Sequence, residues 1–143
     1  MPRSQNYRIV HEPPLFSDFK PIGVRGHDLK QIILTLDEFE AFRLADKLGL
    51  SHALAADEME ISRSVFSRLI ERARKKIADF ITDGSLLTIE GGTVHFRFNI
   101  IQCRDCGHMC KSDFARHITE CPSCHSKNIM NLAGNFGHGK CCI

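Results

Sequence analysis

The sequence predicts a mainly α fold: a tri-helical helix-turn-helix domain with a β-hairpin, followed by a small zinc-ribbon-like module. Three observations predict it. The stretch Leu50–Lys76 holds two helix starts separated by a tight turn, all seven cysteines lie after Gln102, and four of them form two Cys-x-x-Cys pairs. A chain of 143 residues with 43% hydrophobic composition suffices for one modest domain and an appendage. Its net charge of +2 argues for no partner by itself. No apolar run approaches the roughly 18 residues of a membrane span, and Met1-Pro2-Arg3 leads into no secretory segment. The expectation is a cytoplasmic protein without membrane association, in which clustered cysteines point to metal rather than to disulfides.

Residues 1–34 contain four of the five prolines and little periodicity, so they read as an extended N-terminal arm. Arg3 and Arg8 would suit a minor-groove or phosphate contact, whereas Phe16, Phe19 and Ile22 would pack the arm along the domain. Residues 35–84 form the expected helix-turn-helix domain. Thr35-Leu36-Asp37-Glu38 has the form of a capping box and opens a helix through Leu48, with Phe39, Phe42, Ala45 and Leu48 inward and Gly49 as its stop. Asp37, Glu38, Glu40 and Asp46 would make its outer face acidic. Ser51 caps a short second helix with Leu54, Ala55 and Met59 inward.

Ser62 caps a third helix running from Arg63 to about Ile81, roughly 28 Å at 1.5 Å per residue. Phe66, Leu69, Ile70, Ala73 and Ile77 recur at helical spacing and should face the core. Arg63, Ser64, Val65, Ser67, Arg68 and Arg72 then point outward, where a reading helix meets the major groove. Between Leu36 and Gly84 acids outnumber bases ten to eight, yet between Arg63 and Lys76 six bases face the single acid Glu71. Positive charge is therefore concentrated on one element, as a phosphate footprint requires. Arg63 and Arg68 are the candidates for base contact, with Ser64, Val65 and Ser67 beside them. Arg72, Arg74, Lys75 and Lys76 are the candidates for phosphate contact.

In residues 85–100 the segment Leu86–Phe98 alternates apolar and polar about Gly91-Gly92, the pattern of a hairpin. A lone hairpin is marginal in water, so it should lie on the long helix or extend a partner's sheet in a homodimer. In residues 101–130, Cys103-x-x-Cys106 and Cys121-x-x-Cys124 are separated by fourteen residues. Two such turns let four thiolates converge tetrahedrally on structural Zn2+, and tetrahedral sulfur also suits Fe. His108, Cys110, His117 and His125 read as surface or packing residues. The tail, residues 131–143, holds His138 and the vicinal pair Cys141-Cys142, a candidate second metal or redox site.

With these residues in place, the chain resembles a bacterial and archaeal family of unknown function predicted to bind DNA through a helix-turn-helix like that at the C-terminal end of sigma factors. The matching stretches include Phe19-Lys-Pro-Ile-Gly23, Leu34–Asp46, Ile61-Ser-Arg63, Arg68, Ala73–Ala78 and Ile89-Glu-Gly-Gly92, within the first two thirds of the chain. The resemblance implies a DNA-binding role and supplies no catalytic residue; the cysteine-rich end looks like an extension carried by some members. The turn before the reading helix usually has Gly where this chain has Glu60, and a left-handed Glu60 would cost roughly 1 kcal/mol. The family often has Thr at Val65 and Gly at Ser67, so the preferred DNA sequence is expected to differ.

The reading is thus a sequence-specific DNA-binding transcriptional regulator, dimeric, on double-stranded DNA. One alternative is a redox or metal-delivery protein with rubredoxin-like iron; another is a module that docks on RNA polymerase. A hydrolytic or transfer enzyme is not expected, since no phosphate loop or nucleophile motif occurs.

Overall fold

The computed structural model describes residues 7–138, 141 and 142. Arg3, expected to reach the minor groove, lies outside the described residues. In chain order the elements are β1 (Arg8–Val10), β2 (Asp18–Phe19), β3 (Gln31–Leu34), α1 (Leu36–Phe42) running into a π-helical turn at Arg43–Lys47, α2 (His52–Met59) and α3 (Arg63–Asp83). Then follow β4 (Leu86–Ile89), β5 (Val94–Phe96), β6 (Asn99–Cys103), β7 (Met109–Ser112) and β8 (Ile129–Asn131). The described residues divide into two compact units, one of residues 7–9 and 16–94, the other of residues 10–15, 95–138, 141 and 142.

The expectation of a mainly α fold built on a tri-helical helix-turn-helix domain is overturned. The described residues hold three α-helices but eight strands in three small sheets. In the first unit β4 is the centre of a three-stranded sheet, antiparallel to β2 and parallel to β3, with Ile32 opposite Leu87 and Leu34 opposite Ile89. Parallel neighbours need a crossover connection, and all three helices together are that crossover. The short β-branched run Gln31-Ile-Ile-Leu34, placed in an arm by its proline-rich surroundings, is a strand whose partner lies beyond α3.

The expected hairpin does not form either, because β4 and β5 belong to different sheets. Its two glycines serve α1 instead. The Gly91 carbonyl accepts from the Leu36 amide at 3.1 Å, and Gly92, at φ +95°, comes so close that a Cβ there would lie 3.0 Å from Asp37 Oδ1. An unpaired amide at the start of a helix is thereby satisfied.

The helical core of this unit is Ala41, Leu44, Ala55, Ala56, Met59, Phe66, Leu69 and Ile70. The period read for α3 is the period observed. That read for α1 holds in part: Phe42 and Ala45 are half-buried against this core, but the fully buried positions are Leu36, Ala41 and Leu44, and Leu48 is exposed, because the helix widens at Arg43 and ends at Lys47. Leu54 is also exposed, as are Phe16, Phe19 and Ile22, which pack no arm. Ser51 and Ser62 cap α2 and α3, accepting from the Leu54 and Val65 amides at 3.3 and 3.2 Å. Glu60 ends α2 at φ 56°, ψ 44°, and the Ile61 amide returns to the Ala56 carbonyl at 3.0 Å, so a charged residue occupies the left-handed cap position that favours glycine.

In the second unit β6 is central, antiparallel to β7 on one side and β8 on the other. Asn99 is buried and ties its end: its carboxamide oxygen accepts from the Ala133 amide at 3.1 Å while its Nδ2 donates to Asn131 at 2.6 Å. Among the described residues no helix is long and apolar enough to cross a membrane.

Candidate functional site

The outward face of α3 divides into two parts. In its N-terminal part Arg63, Ser64 and Arg68 are exposed, and among the described residues neither arginine has a hydrogen bond or ion pair. Val65 is half-buried against the core, and Ser67 is half-buried with its hydroxyl 2.9 Å from His52 Nδ1. Farther along, the cations are engaged. Arg74 grips Asp46 through Nη2 at 2.7 Å and Nε at 3.0 Å, and Lys75 pairs with Asp79 at 2.9 Å. Lys76 donates to Glu38 Oε1 at 2.6 Å and to the Ile33 carbonyl at 2.8 Å, and Arg72 Nε stands 3.6 Å from Glu38 Oε2.

The acids read as the exposed face of α1 are therefore largely its inner face. Asp37, Glu38 and Glu40 are 6%, 2% and 2% exposed, with Asp46 alone lying outside. Each buried carboxylate has a cation: Arg8 on Asp37, Lys76 and Arg72 on Glu38, and Arg43 on Glu40 at 2.6 Å. Glu38 also accepts from the Thr35 amide at 2.9 Å, the returning half of the capping box. A buried charge without partners would be costly, and here hydrogen-bonded partners supply the compensation. Arg8, Arg72, Lys76 and Thr93 rim a cleft of about 560 Å³ above Asp37 and Glu38. Spacing alone could reveal the Arg43–Glu40 pair, three residues apart, but not the rest, because the cations on Asp37 and Glu38 come from β1 and α3, far from the acids in sequence.

In the second unit Cys103 closes β6 and Cys121 precedes β8, so the sheet brings both Cys-x-x-Cys turns to one end. Cys103 Sγ lies 3.6 Å from Cys124 Sγ and Cys106 Sγ 3.6 Å from Cys121 Sγ. All four sulfurs fall within 4.8 Å of one another. Tetrahedral coordination with metal–sulfur bonds near 2.3 Å sets edges of about 3.8 Å, so the four cysteines could hold a metal ion. Each turn is built alike. The Gly107 amide returns to the Cys103 carbonyl at 3.0 Å and the His125 amide to the Cys121 carbonyl at 2.9 Å, with the Cys106 and Ser123 amides each 3.4 Å from the first sulfur of its turn.

These amides bias the thiols. The Cys106 amide brings Cys103 down to about 7, and the amide of Cys124 brings Cys121 below its ordinary value. At Cys124 the Ser126 amide acts downward, but the neighbouring Cys103 and Cys106 outweigh it and push the thiol up to about 12. A cation replacing the shared protons is the chemistry such a cluster invites. Asp105 fastens the two turns together, accepting from Ser126 and from Asn128 Nδ2, the latter at 3.1 Å. His108, Cys110, His117 and His125 are not in the four-sulfur group. His138, Cys141 and Cys142 gather at β5 beside His95, a residue that spacing alone did not single out.

Comparison with known proteins supports a family assignment. Residues 1–97 match a family model described as "Protein of unknown function DUF134". The chain is 44% identical over 132 residues to a "UPF0251 protein" of Chloroherpeton thalassium, covering 92% of this chain and 87% of that one. It is 38% identical over 145 residues to a "UPF0251 protein" of Caldicellulosiruptor saccharolyticus, covering 98% and 99% of the two chains. A "UPF0251 protein" of Methanococcus vannielii is 42% identical over 95 residues, 66% of this chain and 73% of that one. No solved structure matches.

Proposed function

The chain belongs to the DUF134 family, and from that premise we propose that it is a sequence-specific DNA-binding transcriptional regulator whose four-cysteine centre holds structural zinc. The observation that carries the reading is the division of α3. Arg63 and Arg68 are exposed and unpartnered among the described residues, at the capped start of the helix, while the cations beyond them are matched by acids. Bidentate arginine is the commonest reader of guanine in the major groove, and a helix enters that groove by its N-terminal residues. Ser64 and Val65 extend the same surface to a phosphate or base edge and to a thymine methyl. Lys75 and Arg72, exposed though paired, are the phosphate contacts in this reading; Arg74 and Lys76 are structural. Zinc at Cys103, Cys106, Cys121 and Cys124 would stabilise a small unit built around a sheet of three short strands.

The test is selection of bound fragments from sheared genomic DNA by the intact, metal-replete protein at about 0.15 M salt, where nonspecific phosphate binding is suppressed. A single enriched motif is expected, with two half-sites if the regulator is a dimer. Absence of any enriched sequence would sink the reading. A red protein with a thiolate-to-iron absorption band would replace zinc by iron at the same sulfurs.

A further inference from the structure

His95 stands on β5 and the other residues of its group lie near the C-terminal end, yet four donor atoms converge within the second unit. His138 Nδ1 is 3.2 Å from Cys141 Sγ and 3.5 Å from Cys142 Sγ. Cys142 Sγ is in turn 3.6 Å from Cys141 Sγ and 3.6 Å from His95 Nδ1. All four atoms lie within 4.8 Å of one another. An ion with bonds of about 2.3 Å to sulfur and 2.0 to 2.1 Å to imidazole nitrogen sets tetrahedral edges of about 3.8 Å between sulfurs and 3.6 Å between sulfur and nitrogen. The observed edges agree to within a few tenths of an ångström.

We propose that His95, His138, Cys141 and Cys142 form a second metal site, of the zinc type, so that each chain carries two ions. Three features favour it. The vicinal sulfurs are free thiols 3.6 Å apart, close to the edge that two sulfurs sharing one tetrahedral ion would span. The Phe96 amide donates to Cys142 Sγ at 3.2 Å, the contact that supports a thiolate. Charge matches burial as well. Two thiolates and two neutral imidazoles around a divalent cation sum to zero, which suits Cys142 at 2% exposure with the Phe96 ring 5.0 Å from that of His138. The bound ion would fix the residues around His138 and Cys142 to β5, a closure across 47 residues that no local turn imposes.

The experiment is zinc content per chain of the intact protein, produced in zinc-replete medium and desalted, beside Cys141→Ser, His95→Ala and Cys103→Ser. Two zinc ions are expected in the parent chain and one in each variant. Cobalt substitution gives a second readout: loss of a two-sulfur, two-nitrogen ligand-field spectrum in His95→Ala and Cys141→Ser, with the four-sulfur spectrum retained. Cys141 is exposed, so its serine variant tests coordination without disturbing a core. One zinc in the parent, lost in Cys103→Ser but kept in Cys141→Ser, overturns the second site. One zinc kept in Cys103→Ser and lost in Cys141→Ser supports the second site while defeating the four-cysteine one.

Discussion

Gly107 and His125 occupy the same place in two matching turns, each directly after the second cysteine, at φ 78° and 63°. Glycine takes that conformation freely, whereas a residue with a Cβ pays about 1 kcal/mol or more. Among the described residues the side chain of His125 has a 3.5 Å approach to Glu120, between exposed side chains, to offset the cost. His125→Gly should therefore raise the stability of the zinc-loaded protein by about 1 kcal/mol, measured by denaturant unfolding at fixed free zinc. A loss of stability would mean that the ring contributes more than the backbone strain.

Glu60 poses the same question at the turn between α2 and α3, with φ 56° and an exposed side chain. Glu60→Gly should stabilise by about 0.5 to 1 kcal/mol without altering which DNA is preferred, since the helix crossing is already built around a left-handed residue. A changed motif in the fragment selection would show that the turn, rather than α3 alone, helps to set the reading surface.

Arg68 and Lys76 should separate recognition from folding. Arg68→Ala is expected to cost about 1 to 3 kcal/mol on the preferred sequence and little on random DNA, with unfolding unchanged. Lys76→Ala removes a charge-assisted bond from the buried Glu38 and should cost about 1.5 to 3 kcal/mol of stability. Binding and unfolding measured on both variants decide it. Equal losses on specific and random DNA for Arg68→Ala would defeat its assignment as a base contact.

The Arg74–Asp46 pair predicts a pH dependence of known sign. The hydrogen bonds from Arg74 hold the Asp46 carboxyl below its ordinary value. A carboxyl depressed in the folded state contributes stability above its unfolded value, about 3.9, and loses it as pH falls through the lower folded value. The Arg74 and Asp46 side chains are 50% and 33% exposed, so screening limits the contribution to about 1 kcal/mol or less. Asp46→Asn should be destabilised by that amount at pH 7 relative to the parent, and the gap should close in strong acid. A gap unchanged between pH 7 and pH 2, followed by chemical denaturation, would rule the linkage out.

Sequence by itself determined what depends on nearest neighbours along the chain. The serine caps at Ser51 and Ser62, the period of α3 and the two Cys-x-x-Cys turns are all set by residues within a few positions of one another, and all were legible. So was the family, through the motifs of the first two thirds of the chain. Tertiary structure decided what depends on pairing at a distance. Ile32 becomes a strand residue only because Leu87, beyond three helices, offers the complementary edge. Gly91 and Gly92 suit a hairpin by composition, but the start of α1 takes the carbonyl of one and the open space beside the other. Asp37 and Glu38 look like solvent-facing acids until Arg8, Arg72 and Lys76 arrive from other elements to make their burial tolerable. His95 joins Cys142 for the same reason: donor atoms answer to distance in space, and a strand can bring together residues that the chain keeps far apart.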